Sequence, residues 1–198
     1  MPKVKICGLK RLEDIQMVNK LMPDYIGFIF TKSKRQVDLN TAFKLKEALN
    51  EKILAVGVFV NQEIDEVLEI STVIDLIQLH GDENEEYIEN LKKLTKKPII
   101  KAISVNSIDD ILKNSDTKAD FLLFDNGKGG TGQTFDWEIL NKLENFQKPY
   151  FFAGGLNENN VKNALKYQPF ALDVSGGVET DGFKDFNKIK KFIEIVRG

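Results

Sequence analysis

The chain has 198 residues, 42% of them hydrophobic and 29% charged, with 5 Pro, which suits one substantial folded domain and excludes a disordered or collagen-like polymer. Its 28 Lys and Arg stand against 30 Asp and Glu, a formal charge of −2, so no general attraction to nucleic acid or an anionic membrane is expected. A single Cys excludes an internal disulfide and a cysteine metal cluster, and a single His excludes a multi-histidine zinc site. The opening MPKVKICGLK has no signal-peptide apolar region, and no apolar run reaches membrane-spanning length, so a soluble, cytoplasmic protein is expected.

In chain order, the β-branched runs Val4–Cys7, Tyr25–Phe30, Ile53–Phe59, Leu76–Leu79, Pro98–Ala102, Phe121–Phe124, Tyr150–Phe152 and Phe170–Val174 read as strands. Several are almost continuously apolar, as expected of parallel strands covered on both faces. Between them, LEDIQMVNKLM, NTAFKLKEALN and NEEYIENLKKL space their apolar residues three or four apart, as helices do, and Phe186–Val196 repeats that spacing at the end. FDW at 135–137 reads as a further helix start. Eight strands in 198 residues give about 25 residues per strand–helix unit, with no linker at which to cut a second domain. The pattern points to a single (β/α)₈ TIM barrel over residues 1–198 more than to an open doubly wound sheet, although periodicity alone does not prove closure, and the chain is leaner than the ~250 residues usual for that fold.

In such barrels the chemistry sits where strands end. Here those ends carry Cys7, the Arg35 loop, His80, Asp125, AGGL at 153–156 and VSGGV at 174–178. The last two follow strands seven and eight, where barrels often hold a phosphate. Gly154, Gly155, Ser175 and Gly176 are therefore the candidate phosphate contacts, Ser175 adding a hydroxyl donor, although tight turns in short loops would need glycines too. Gly127, Gly129 and Gly132 match the dinucleotide spacing G-x-G-x-x-G, but they lie late in the chain without a convincing helix start, and Lys128 completes no P-loop; a substrate-covering loop is the better reading.

Asp125 ends an apolar strand, where partial burial is expected to raise its pKa and fit it to donate a proton; its bland alternative is a loop cap. Cys7 is either a small buried hydrophobe or, as a thiolate, a base. The arginines are Arg11, Arg35 and Arg197 only. Arg35 follows strand two, where a guanidinium fork suits a planar carboxylate, whereas Arg11 and Arg197 lie at helix boundaries and read as structural. His80 orients a group or hydrogen-bonds within the rim. Asp173 accepts from a substrate amine or hydroxyl, or caps neighbouring amides.

KICGLKRLED, GFIF followed by SKR, VGVF, QLHGDE, GGTGQTFDW, FFAGGLNENNV and ALDVSGGVETDGFKD, in that order over nearly the whole chain, resemble the phosphoribosylanthranilate isomerases of tryptophan biosynthesis. The resemblance implies a cofactor-free Amadori rearrangement of a phosphosugar on a TIM barrel. It implies Cys7 as general base, Asp125 as general acid, Arg35 for the anthranilate carboxylate, Asp173 near the anthranilate amino group, and backbone amides of Gly154, Gly155, Ser175 and Gly176 for the phosphate. Two positions depart from the family pattern: Ser33-Lys34-Arg35 stands where S-P-R is common, and Ser175-Gly176-Gly177 where S-S-G is common.

Three other readings remain at this stage. A ribulose-phosphate epimerase would ask for metal-binding histidines that His80 alone does not supply. An indole-glycerol-phosphate synthase would ask for catalytic Lys and Glu, for which Lys5 and Lys101 are the available lysines. A non-catalytic phosphosugar-binding barrel would bind without turnover. No metal or cofactor is called for, and the chain is expected to act as a monomer, with a homodimer as the alternative.

Overall fold

In the computed structural model, which describes residues 1–127, 134–143 and 146–198, all eight apolar runs form strands. They are β1 (Lys3–Cys7), β2 (Tyr25–Ile29), β3 (Leu54–Phe59), β4 (Leu76–Leu79), β5 (Ile99–Ser104), β6 (Phe121–Asp125), β7 (Tyr150–Phe152) and β8 (Ala171–Val174). Each pairs in parallel with the next, and β8 pairs back onto β1, so the sheet closes into a barrel. β5 starts one residue later than its apolar run and ends two later, and β6 includes Asp125, bringing that carboxylate to the strand's last position.

The expected helices form as α1 (Leu12–Leu21), α2 (Leu39–Glu47), α4 (Glu85–Leu94) and α7 (Phe186–Arg197). Three of their starts are fixed by side-chain caps: Asp38 accepts from Thr41 N–H, Asn84 from Tyr87 N–H, and Asp185 from both Asn187 and Lys188 N–H. In α4, Glu85 and Glu86 in the first turn and Lys92 and Lys93 in the last also suit the helix dipole. Three shorter helices, α3 (Ile64–Ile70), α5 (Ile108–Leu112) and α6 (Val161–Ala164), complete the α set among the described residues. Trp137–Lys142 is a 3₁₀ helix where an ordinary helix was expected. Six residues are enough for i→i+3 bonding, and the Trp137 ring anchors the segment edge-on against Phe152, 5.1 Å between centroids.

Strand alternation sorts the core into two layers. Val4 and Ile6 face outward, in one apolar cluster with Ile15 and Val18 of α1 and Phe192 and Val196 of α7. Inside the barrel, Tyr25, Val56, Leu76, Ile100, Leu123, Phe151 and Ala171, drawn from all of β2 to β8, form a second cluster together with Ala102 and Ala153. Phe151 is fully buried, with ring centroids 5.5 Å from Tyr25 and 5.6 Å from Phe121, and its burial contributes about 1.5–3 kcal/mol. Towards the C-terminal strand ends the interior turns polar, presenting Lys5, Cys7, Gln78, Asp125 and Asp173. Arg11 and Arg197 are structural as expected: Arg11 pairs with Asp14 at the start of α1, and Arg197 donates to the Met22 carbonyl and reaches Asp24. Among the described residues no helix is long and apolar enough to cross a membrane.

Candidate active site

A cavity of about 640 Å³ opens at the C-terminal ends of the strands, lined by Cys7, Arg35, His80, Asp125, Asp173 and the turns Gly154–Gly155 and Ser175–Gly176. Every site residue expected from the sequence therefore borders one space. Lys128, Gly129 and Gly132, read as part of a covering loop, lie outside the described residues.

Asp125 closes β6 and is 8% exposed. Its Oδ2 is 3.3 Å from His80 Nε2, and its Oδ1 accepts from Asn126 N–H at 2.7 Å. Burial pushes its pKa up, but the His80 hydrogen bond and charge, with the Asn126 N–H, outweigh burial and hold the carboxyl below its ordinary value. The expectation of a raised pKa is thus corrected: the free protein keeps Asp125 as a carboxylate. His80 is itself held by Gln78, whose Nε2 is 2.9 Å from Nδ1, so the imidazole is fixed against the Asp125 carboxyl from the end of β4.

Cys7 ends β1 with its thiol buried, and burial raises its pKa. Lys5, two residues earlier on the same inward face, opposes that shift through its charge and a hydrogen bond. Lys5 is fully buried and stays an ammonium: burial lowers its pKa, but Asp173 and Cys7 together raise it further. Its Nζ bonds Asp173 Oδ2 at 2.7 Å across the β1–β8 register, whereas Asp173 Oδ1 has no partner among the described residues. Lys101, the other candidate catalytic lysine, is bound to the Gly81 carbonyl at 2.5 Å and to Glu83 at 2.9 Å, where it braces the loop that carries His80.

Arg35 is already paired. Its Nε and Nη2 each lie 2.7 Å from a carboxylate oxygen of Glu179, and Lys184 Nζ lies 2.7 Å from the same carboxylate. Burial alone would raise the Glu179 pKa, but Arg35 and Lys184 drive it down to about 2. Sequence reasoning assigned no role to Glu179, Lys184 or Gln78, although all three lie in quoted motifs; Glu179 is marked by Arg35, 144 residues away, and Lys184 and Gln78 by the contacts they make in the folded chain with Glu179 and His80.

The two late turns complete the rim, Gly154 beside Asp125 and Gly176 beside Arg35. Gly154 and Gly155 have φ of +84° and +67°, a left-handed run that side chains disfavour. Among the described residues the N–H groups of Gly154, Gly155 and Gly176 have no acceptor, which suits an anion site. The Ser175 hydroxyl, expected as a further donor, instead donates to the Cys7 carbonyl at 3.0 Å and ties β8 to β1.

The family model described as N-(5'phosphoribosyl)anthranilate (PRA) isomerase matches residues 4–195. The chain belongs to this isomerase family. It is 50% identical to the N-(5'-phosphoribosyl)anthranilate isomerase of Caldanaerobacter subterraneus subsp. tengcongensis and 48% identical to that of Thermoanaerobacter sp. (strain X514), over all of this chain and 99% of each relative. Its fold is similar to the isomerase structure from Thermotoga maritima, with a TM-score of 0.91 and 33% identity over all of this chain and 99% of the other. The Thermus thermophilus isomerase gives a TM-score of 0.89 and 30% identity, with 98% of both chains covered. Family membership makes this barrel an aldose–ketose isomerase of the tryptophan route, acting on a small phosphosugar.

Proposed function

We propose that this chain converts N-(5-phosphoribosyl)anthranilate to 1-(2-carboxyphenylamino)-1-deoxyribulose 5-phosphate with Asp125 as general acid and Cys7 as general base. The observation that carries this reading is placement. β1 and β6 lie three strands apart around the barrel, and their last residues face one cavity, so acid and base reach a sugar ring from different sides.

Asp125 gives its proton to the furanose oxygen, the C1–O bond breaks, and the anthranilate nitrogen's lone pair forms an iminium at C1. Cys7 then takes the C2 proton, the electron pair moves into the iminium, and the resulting enolamine tautomerises to the ketone. The ligand-free site holds one proton on this acid–base pair, on the thiol, with Asp125 ionised. The reactive arrangement holds the same single proton on the carboxyl instead. Closing a substrate over Asp125 strengthens the burial that already pushes its pKa up, while Lys5 stabilises the thiolate left behind.

The remaining groups position the substrate. Arg35 receives the anthranilate carboxylate, Asp173 Oδ1 accepts from the anthranilate amino group, His80 orients Asp125, and the amides of Gly154, Gly155, Ser175 and Gly176 hold the phosphate. All of these groups come from one barrel domain spanning 1–198, so a monomer suffices, and a cytoplasmic location suits the substrate.

The test follows the loss of fluorescence of freshly generated phosphoribosylanthranilate. Cys7→Ser and Asp125→Asn should stay folded and lose turnover by roughly 10²–10⁴-fold. Near-wild-type turnover in both folded variants would overturn the assignment, and Arg35→Ala with unchanged KM would remove the carboxylate role.

A further inference from the structure

Arg35, Glu179 and Lys184 are a built unit beside the acid–base pair, neither donating nor taking a proton in the steps above. Glu179 opens, and Lys184 closes, the small antiparallel hairpin of β9 (Glu179–Thr180) and β10 (Phe183–Lys184), which follows the β8 turn. Lys184 is 4% exposed and donates to Glu179 Oε1 at 2.7 Å and to the Ser175 carbonyl at 3.0 Å. Burial lowers the Lys184 pKa, but the Glu179 carboxylate 2.7 Å away opposes that shift through its charge and its hydrogen bond and favours the ammonium, so the unit holds two cations and one carboxylate.

A guanidinium has two edges that take a carboxylate with two parallel hydrogen bonds, one made by Nε with Nη2 and one by Nη1 with Nη2. Glu179 fills the first. Among the described residues no acceptor meets Nη1, so the second remains for another carboxylate. Were the unit only Arg35 and Glu179, it would be neutral and give an incoming carboxylate little attraction. Lys184 changes that sum without touching the ligand edge.

We infer that Glu179 and Lys184 are positioning residues of the carboxylate subsite: Glu179 fixes the Arg35 fork so that only its Nη1–Nη2 edge is offered, and Lys184 keeps the unit net cationic. This inference rests on the reading that Arg35 receives the substrate carboxylate. It assigns the substrate's approach, end-on to the guanidinium, and makes the β9–β10 hairpin part of substrate selection.

The two supporting residues carry opposite charges, so their removal has opposite effects. Lys184→Met leaves a neutral unit. It should raise KM and weaken competitive inhibition by anthranilate, used as the carboxylate probe, by about tenfold each, with kcat held within about threefold. Lys184→Arg should restore both. Glu179→Gln leaves two cations and a looser fork, so anthranilate should inhibit as well as or better than in the parent while kcat falls about tenfold. A merely structural role would weaken anthranilate in both variants, and that result overturns the inference. Should Lys184→Met not fold, Glu179→Gln decides alone, because its amide matches the carboxylate in shape. Arg35→Ala separates the two levels. If it leaves anthranilate inhibition unchanged, the carboxylate reading fails; if it abolishes inhibition while the signs in the other two variants agree with each other, only the present inference fails.

Discussion

Lys5 Nζ lies 2.7 Å from Asp173 Oδ2, and the second oxygen of that buried carboxylate has no partner among the described residues. A buried ion pair is weak evidence for stability, because desolvating both groups offsets much of their attraction. In the proposed mechanism its use is chemical. Half of the Asp173 carboxylate is committed to Lys5 and half is left to accept, while the same ammonium acts on the Cys7 thiol.

Lys5→Met should therefore raise the Cys7 pKa. The chain has one cysteine, so thiolate absorbance or alkylation rate against pH reports that group alone. Turnover should fall by about tenfold or more, and Asp173→Asn in the same chain should remove the unpaired buried carboxylate that the lysine substitution creates. An unmoved thiol titration would sink the role given to Lys5.

The two shifted groups set the pH range of kcat/KM. Asp125 lies below its ordinary 3.8, and Cys7 lies above its ordinary 9.0. Between those limits the acid–base pair keeps one proton, so the active arrangement remains a constant fraction. The expected profile is flat across neutral pH, falling only below about 3.8 as Asp125 protonates and above about 9.0 as Cys7 ionises. Limbs inside that window would mean that other groups carry the protons.

Gly176 and Gly177 predict opposite tolerances. A Cβ at Gly176 would have Arg35 Nη2 as its nearest neighbour, at 3.5 Å, an ordinary contact, so Gly176→Ser should fold with nearly unchanged stability. A Cβ at Gly177 would meet the Leu156 carbonyl oxygen at 1.9 Å. Gly177→Ala must push the β7 and β8 turns apart, costing about 1–3 kcal/mol in denaturant unfolding and weakening competition by inorganic phosphate.

Glu179 gives the fold an acid dependence. Its pKa falls from 4.5 to about 2 on folding, so its contribution is full above about 4.5 and is lost as pH falls through about 2. Glu179→Gln should flatten that part of the stability curve. Equal acid slopes in the two proteins would show that the carboxylate is not held as described.

Eight apolar runs made a covered parallel sheet legible and favoured a closed barrel over an open doubly wound sheet, but closure itself is decided by the pairing of β8 with β1, which no periodicity displays. Cys7, Arg35, His80, Asp125 and Asp173 were found by their positions at strand ends, which closure converts into nearness. The pairings inside the site followed no such rule. Arg35 and Glu179 are 144 residues apart and Lys5 and Asp173 are 168 apart, so no local pattern announces either pair. The Asp125 pKa depended on the neighbour at His80, which opposed the burial its strand suggested. At 137–142 the spacing left α and 3₁₀ winding undistinguished.

The aromatic layer beneath the cavity has a consequence for traffic through the barrel. Phe151 lies against Tyr25, Phe121 and Phe170, and Lys3 lies over the Tyr25 and Phe170 rings at 5.4 and 5.3 Å. The reaction vessel is thus a cup with a stoppered base. Whatever enters by the mouth must leave by it, so each turnover ends with the ketose retracing the path of the aldose. Delivery to a following enzyme along the barrel axis is closed by the same layer.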